Sequence, residues 1–133
     1  MKKILVAYDG GEPARRALHA AIDLAKKFDA LIGVVSVVPY HPGRYPMDPW
    51  DDRSVHTQEL ADARAILTEE GIEADFIEPI GDPARTIERI AEDGGYDTVV
   101  IGSRGLGPVS RFLRGSVSEH VATHAATTVI VAR

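Results

Sequence analysis

A glycine-rich segment, residues 102–118, carries the residue pattern with the most evident chemistry. Gly102, Gly105, Gly115 and Ser116 give the spacing Gly-x2-Gly-x9-Gly-Ser. The segment holds three arginines and no acidic residue, although the whole chain has a net charge of −5. Glycines let backbone N–H groups approach an anion closely, and a helix that starts after them adds a partial positive charge. The pattern therefore predicts a loop that binds phosphate.

Two better-known phosphate motifs are excluded. The segment has no Gly-Lys-Ser/Thr and is not a Walker A sequence, and a dinucleotide fingerprint would follow the first strand instead. Ser116 and Glu119 fit a capping box, a sufficient structural reason for both, but capping leaves Ser118 and the backbone available for phosphate. We do not assign Arg111 or Arg114 as ligands, because both can be ordinary arginines exposed to solvent.

Asp9 is the second candidate, because it follows the first apolar run, Ile4–Tyr8, directly. A carboxylate at the end of a central strand suits a ligand that donates hydrogen bonds. It also suits the start of the following helix as a cap. Both roles remain open, and one carboxylate can serve both.

His120 and His124 share a helix face because they are four residues apart. A metal site would need a third ligand nearby, which the sequence does not offer. We therefore predict no metal site from side chains.

The elements that must position these residues alternate between strand and helix. Apolar runs predict five strands, at Ile4–Tyr8, Leu31–Val38, Ile72–Ile80, Thr98–Ile101 and Thr127–Val131, and acidic residues mark the third as an exposed edge. Apolar stripes predict helices from Pro13 to Phe28, over Asp51–Glu70, from Pro83 to about Gly94 and from about Ser116 to Ala125. This order predicts one α/β domain, residues 1–133, with an open parallel sheet and helices on both faces. Ligands of such sheets bind at the carboxyl ends of the strands.

Taken together, these features resemble the universal stress protein family, of the ATP-binding type. The resemblance covers essentially the whole chain. It includes the opening Ile4–Gly10, the turn Gly81-Asp82-Pro83, the strand and loop Val99–Gly105, the closing Thr128–Val131, and the glycine motif. It implies a Rossmann-like sheet of strand order 3-2-1-4-5 and a homodimer formed by pairing the last strands of two subunits.

The resemblance also implies a bound ATP, accompanied by Mg²⁺ or Mn²⁺ at the phosphates. On that basis Ala7, Asp9 and Val37 would line the adenosine part. The residues that would meet the ribose and phosphates are Gly102, Arg104, Gly105, Gly115, Ser116, Val117 and Ser118. One departure is Gly11, where relatives often carry serine.

Composition restricts the remaining possibilities. The chain of 133 residues has no cysteine, which excludes disulfides and thiolate metal sites and is compatible with a reducing cytoplasm. No apolar run is long enough for a membrane span, and the N-terminus lacks the features of a signal peptide. A net charge of −5 argues against a general nucleic-acid partner. We therefore expect a cytoplasmic protein.

Four functions compete at this point. The leading one is an ATP-binding regulatory protein of the stress response, and a ligand-free dimerisation module is another. A slow ATPase or nucleotidyl-transfer enzyme is a third, but apart from Asp9 the motif offers no acid–base group and no lysine follows Lys27. We predict no catalytic residue and at most weak hydrolysis. A receiver domain is excluded, because its acidic cluster and final lysine are missing.

Overall fold

The computed structural model describes residues 1–39, 53–102, 121 and 127–132. Within them the strands are β1 Lys3–Ala7, β2 Leu31–Val35, β3 Val38–Pro39, β4 Ala74–Ile77, β5 Ile80–Gly81, β6 Thr98–Gly102 and β7 Thr128–Ala132. The helices are α1 Glu12–Phe28, α2 Arg53–Glu69 and α3 Pro83–Asp93. The predicted fourth helix falls almost entirely outside the described residues, but its Val121 is described, helical and fully buried.

Five strands form one parallel sheet in the order β4-β2-β1-β6-β7. In terms of the five predicted strands this is the order 3-2-1-4-5, so the predicted α/β fold is confirmed. The central strand β1 lies between β2 and β6, and its Val6 lies opposite Val34 on one side and Val100 on the other. β4 is an edge strand of this sheet, as its acidic residues predicted.

The expectation that residues 31–38 and 72–80 each form one continuous strand was wrong, because the structure divides both. Predicted strand 31–38 becomes β2 and β3, and predicted strand 72–80 becomes β4 and β5. β3 and β5 pair as a separate parallel sheet, with Val38 opposite Ile80. Pro79 between β4 and β5 has no N–H to donate, so the ladder cannot continue through it. Its carbonyl accepts the N–H of Val38 at 2.8 Å instead.

Helix α1 covers the sheet with most of the predicted apolar stripe. Its buried apolar residues are Pro13, Ala14, Ala17, Leu18, Ala21, Ile22 and Ala25. Phe28, predicted to belong to the stripe, is 51% exposed. It is the last helical residue, and the chain turns away through Asp29 at a φ of 55°. Helix α3 begins as predicted, because the Asp82 side chain accepts the N–H of Arg85 at 3.1 Å.

The core lies around the central strands. Every residue of β6 is buried, as are the residues of β1 from Ile4 onwards. Successive strand residues point to opposite faces, so this burial requires cover on both faces of the sheet. Among the residues that the model describes, no helix has the length and apolar character needed to cross a membrane.

Candidate functional site

The structure brings four predicted site residues to the carboxyl edge of three adjacent strands. Ala7 ends β1 and Gly102 ends β6, whereas Val37 lies just beyond the end of β2. Asp9 follows β1 in the turn that leads to α1. The other predicted site residues lie outside the described part of the chain; they are Arg104, Gly105, Gly115, Ser116, Val117 and Ser118.

Asp9 shapes the turn between β1 and α1. Its side chain is almost fully buried, and its Oδ1 accepts the N–H of Gly11 at 2.9 Å. Gly10 has a φ of +80°, which favours glycine. Gly11 is the N-cap of α1 and provides no side-chain cap. Asp9 therefore stabilises the turn ahead of the helix without capping the helix itself, and the departure at Gly11 leaves the first turn without the hydroxyl that a serine would supply.

Ala7 and Val37 are both fully buried. Their side chains belong to the hydrophobic core, which packs beneath the edge of the sheet. The backbone continues this packing, because Ala7 lies opposite Val35 and the next N–H, that of Tyr8, donates to the Val35 carbonyl at 2.9 Å. These residues hold the ends of β1 and β2 in fixed positions relative to each other.

Gly102 is needed for the close approach of α1 to β6. A Cβ atom on Gly102 would lie 2.6 Å from the carbonyl carbon and the carbonyl oxygen of Pro13. Real side chains do not tolerate such distances to backbone atoms. The glycine that opens the predicted phosphate motif therefore also has a structural reason to be glycine, and this contact joins segments far apart in the sequence.

Tyr8 lies beside Asp9 and is fully buried. Burial raises the pKa of its hydroxyl above the ordinary value, and the Arg15 side chain on α1 opposes that rise. The hydroxyl is therefore neutral at physiological pH. The sequence interpretation treated Tyr8 only as the end of a strand.

The sequence analysis did not identify a buried polar cluster at the same edge of the sheet. It consists of Ser36, just after β2, together with His56 and Glu59 on α2. The Ser36 hydroxyl lies 2.8 Å from Nδ1 of His56 and 2.8 Å from Oε2 of Glu59. Nδ1 of His56 lies 3.3 Å from the same Oε2. We call these three residues the α2 cluster.

The helical spacing could have revealed part of this cluster. His56 and Glu59 continue the buried stripe that Ala63 and Leu67 form further along α2. The sequence analysis assigned no role to His56 or Glu59. Their partner Ser36 lies on another element, and no pattern in the sequence connects it to them.

A metal site made of side chains is not found in the described regions, where no three histidines, aspartates or glutamates come together. The pair His120 and His124 lies outside those regions. What the edge offers is a carboxylate in a rigid turn, two strand ends packed side by side, and a glycine at the end of a third strand. Such an arrangement can hold a planar, hydrogen-bonding small molecule in the position usual for α/β sheets.

Comparison with known proteins extends this picture. The universal stress protein family model matches residues 1–133. A putative universal stress protein of Staphylococcus epidermidis is 33% identical over 99% of this chain and 84% of its own length. The solved universal stress protein of Archaeoglobus fulgidus has a TM-score of 0.80 and 26% identity, over 100% of this chain and 99% of that one.

A second structure from Archaeoglobus fulgidus is that of the universal stress protein in complex with dAMP. It has a TM-score of 0.77 and 26% identity to this chain, and covers 100% of this chain and 98% of that one. The fold, the motif and the match over the whole sequence agree. The chain belongs to the universal stress protein family.

Proposed function

We propose that this protein binds ATP at the carboxyl edge of β1, β2 and β6 and acts as a nucleotide-dependent regulator in the stress response. The observation that carries the proposal is the placement of Asp9, Val37 and Gly102 at the ends of three adjacent strands. The strand order reverses at this point, which is where open α/β sheets take their ligands. The dAMP complex of the Archaeoglobus fulgidus relative supports an adenine nucleotide.

The residues present suit the parts of ATP that would meet them. The Asp9 carboxylate suits ribose hydroxyls or the amino group of adenine, both of which donate hydrogen bonds. Gly102 leads directly into the predicted phosphate loop, where Arg104, Gly105, Gly115, Ser116, Val117 and Ser118 would bind the ribose and phosphates. Mg²⁺ or Mn²⁺ would be held mainly by the phosphates themselves.

Regulation would act through a homodimer. β7 lies at an edge of the sheet and pairs with β6 on one side. An apolar edge strand invites pairing with another chain, and a second copy of β7 is a suitable partner. ATP binding next to β6 would then change the surface or the stability of the pair. We place this activity in the cytoplasm, without a nucleic-acid or membrane partner, in line with the net charge and the absence of cysteine.

We expect purified protein to bind ATP in the presence of Mg²⁺, and to bind GTP more weakly. The protein would first be unfolded and refolded, with mass spectrometry of the released small molecules to show that no nucleotide had been carried through purification. Isothermal titration calorimetry then compares the two nucleotides. No heat of ATP binding at millimolar concentration would contradict the proposal.

We expect light scattering to give about twice the 14.4 kDa mass of the chain. Val131 on β7 is 38% exposed, and Val131→Lys should shift the protein towards monomer because charged side chains on an edge strand oppose pairing with another strand. Leu31→Lys is the matched control, since Leu31 is 67% exposed on β2, away from this edge. A wild-type mass near 14.4 kDa at every concentration would rule out the dimer.

A further inference from the structure

The α2 cluster is not explained by the proposed nucleotide contacts. Ser36 and His56 are fully buried, and Glu59 is 6% exposed. The Ser36 hydroxyl donates to Oε2 of Glu59, which leaves its oxygen to accept from the Nδ1–H of His56. The hydrogen bonds of the three side chains thus support one another.

The cluster does not have the geometry of a hydrolytic triad. In such a triad the hydroxyl and the carboxylate bind opposite nitrogens of the imidazole ring. Here Ser36 Oγ and Glu59 Oε2 both lie next to the same nitrogen, Nδ1 of His56. The buried hydroxyl of Ser36 is also inaccessible to a substrate. A nucleophilic role is therefore excluded by the arrangement.

Stability alone is a weak reason for these residues. Removing a carboxylate from water is costly, and well-packed apolar residues in place of a buried polar network are often neutral or stabilising. The position of the cluster is more informative than its energy. It lies directly behind the edge at which the nucleotide is proposed to bind.

Glu59 lies next to the immediate chain neighbours of two proposed base-site residues. Its Oε2 binds Ser36, the residue before Val37. Its Cγ lies 3.3 Å from the point that a Cβ atom on Gly10 would occupy, and Gly10 follows Asp9. One side chain from α2 therefore binds the residue after β2 and lies close beside the turn after β1.

We propose that Glu59 is a positioning residue for the base end of the nucleotide site, an inference that rests on the proposed function. It fixes the Asp9–Gly11 turn relative to Ser36 and Val37, so that the Asp9 carboxylate and the β2 end are held at the spacing the base requires. Groups held in place before binding need less ordering when the ligand arrives, and affinity rises accordingly. Glu59 acts through its neighbours and does not itself touch the base.

The claim that Glu59 holds the Asp9–Gly11 turn in place is tested without nucleotide. The N–H of Gly11 donates a hydrogen bond to the Asp9 side chain. Its rate of amide hydrogen exchange therefore reports how well the turn is ordered. Glu59→Ala should accelerate this exchange at least about tenfold, because the turn loses its support. Glu59→Gln should retain most of the protection, since its amide oxygen can still accept from Ser36 and its Cγ keeps the same place beside Gly10. Glu69→Ala, an exposed position on the same helix, should leave the rate unchanged.

The functional part is tested by calorimetry with ATP and with adenosine. Glu59→Ala should lower the affinity for ATP and the affinity for adenosine by the same factor, about tenfold, because the defect is confined to the base end of the site. A general loss of stability would not lower the affinity of the folded molecules in this way. Ser36→Ala removes the hydroxyl that binds Glu59 and should lower the affinity for both ligands several-fold. It tests the same contact if the Glu59→Ala variant does not fold.

The outcomes separate the two proposals. A wild-type protein that binds no ATP would overturn the proposed function. A wild type that binds ATP, together with folded Glu59→Ala protein that shows unchanged Gly11 exchange and unchanged affinity, would overturn only the role of Glu59. Loss of ATP affinity with adenosine affinity retained would also contradict it, because the effect would then arise at the phosphates.

Discussion

A Gly115→Val variant is expected to lose ATP affinity by at least about two orders of magnitude while it keeps its fold. Gly115 directly precedes the helix predicted from about Ser116, whose free N–H groups would hold the phosphates. A β-branched side chain would occupy the space of the anion and resist any positive φ. Losing two charge-assisted hydrogen bonds, at roughly 1.5–3 kcal/mol each, accounts for a loss of this size.

The matched control is Arg111→Ala, in the middle of the nine-residue spacer of the motif. A solvated arginine contributes about 1 kcal/mol or less, so its removal should change affinity only modestly. Circular dichroism verifies that both variants fold, and a nucleotide titration compares them with wild type. Normal ATP binding by Gly115→Val would show that the phosphates do not lie at this helix start.

Gly102→Ala is expected to lower the free energy of unfolding by about 1–3 kcal/mol, the usual cost of overpacking. The new methyl group would meet the backbone of Pro13 at 2.6 Å, so the end of β6 and the first turn of α1 must move apart. Urea unfolding measures the loss, and ATP affinity should fall with it because Asp9 and Gly102 would separate. The other residues of the glycine motif, Gly105, Gly115 and Ser116, are unchanged in this variant.

Pro13→Ala in the Gly102→Ala background is the control for this explanation. Alanine lacks the ring atoms Cγ and Cδ but keeps the carbonyl group and Cβ, which are the atoms that the new methyl group would meet, so the double variant should not regain the lost stability. Recovery would mean that the ring had caused the overlap. A Gly102→Ala protein as stable as wild type would contradict the close approach itself.

The sequence predicted the parts of the fold that depend on local patterns. Continuous apolar runs located the strands, the stripe from Ala14 to Ala25 located the buried face of α1, and Asp82 before Pro83 located the start of α3. The strand order came from the family resemblance. What could not be predicted depends on contacts between distant segments. Where predicted strand 31–38 divides, β3 pairs with β5 and the carbonyl of Pro79 accepts the N–H of Val38, and no local pattern indicates that pairing.

The candidate site shows the same limit more clearly. The position after the first strand led to Asp9, and the structure added its bond to Gly11. Gly102 was predicted to be glycine for the sake of a ligand, whereas the structure shows that α1 also requires it. The α2 cluster was missed because the partners of a buried polar side chain decide whether it is tolerated in a core, and those partners are visible only once α2 and β2 are brought together.

The neighbours of β1 in the sheet have a consequence for synthesis on the ribosome. The N–H of Lys3 binds Asp97, 94 positions away, just ahead of the strand β6 that completes one side of β1. A nascent chain therefore carries an apolar strand with one unpaired edge until most of the polypeptide has emerged. Contacts of such long range also slow folding. Gly102 emerges at the same late stage, so a nucleotide at the proposed site would not stabilise the first half of the chain while it waits for its partner strand.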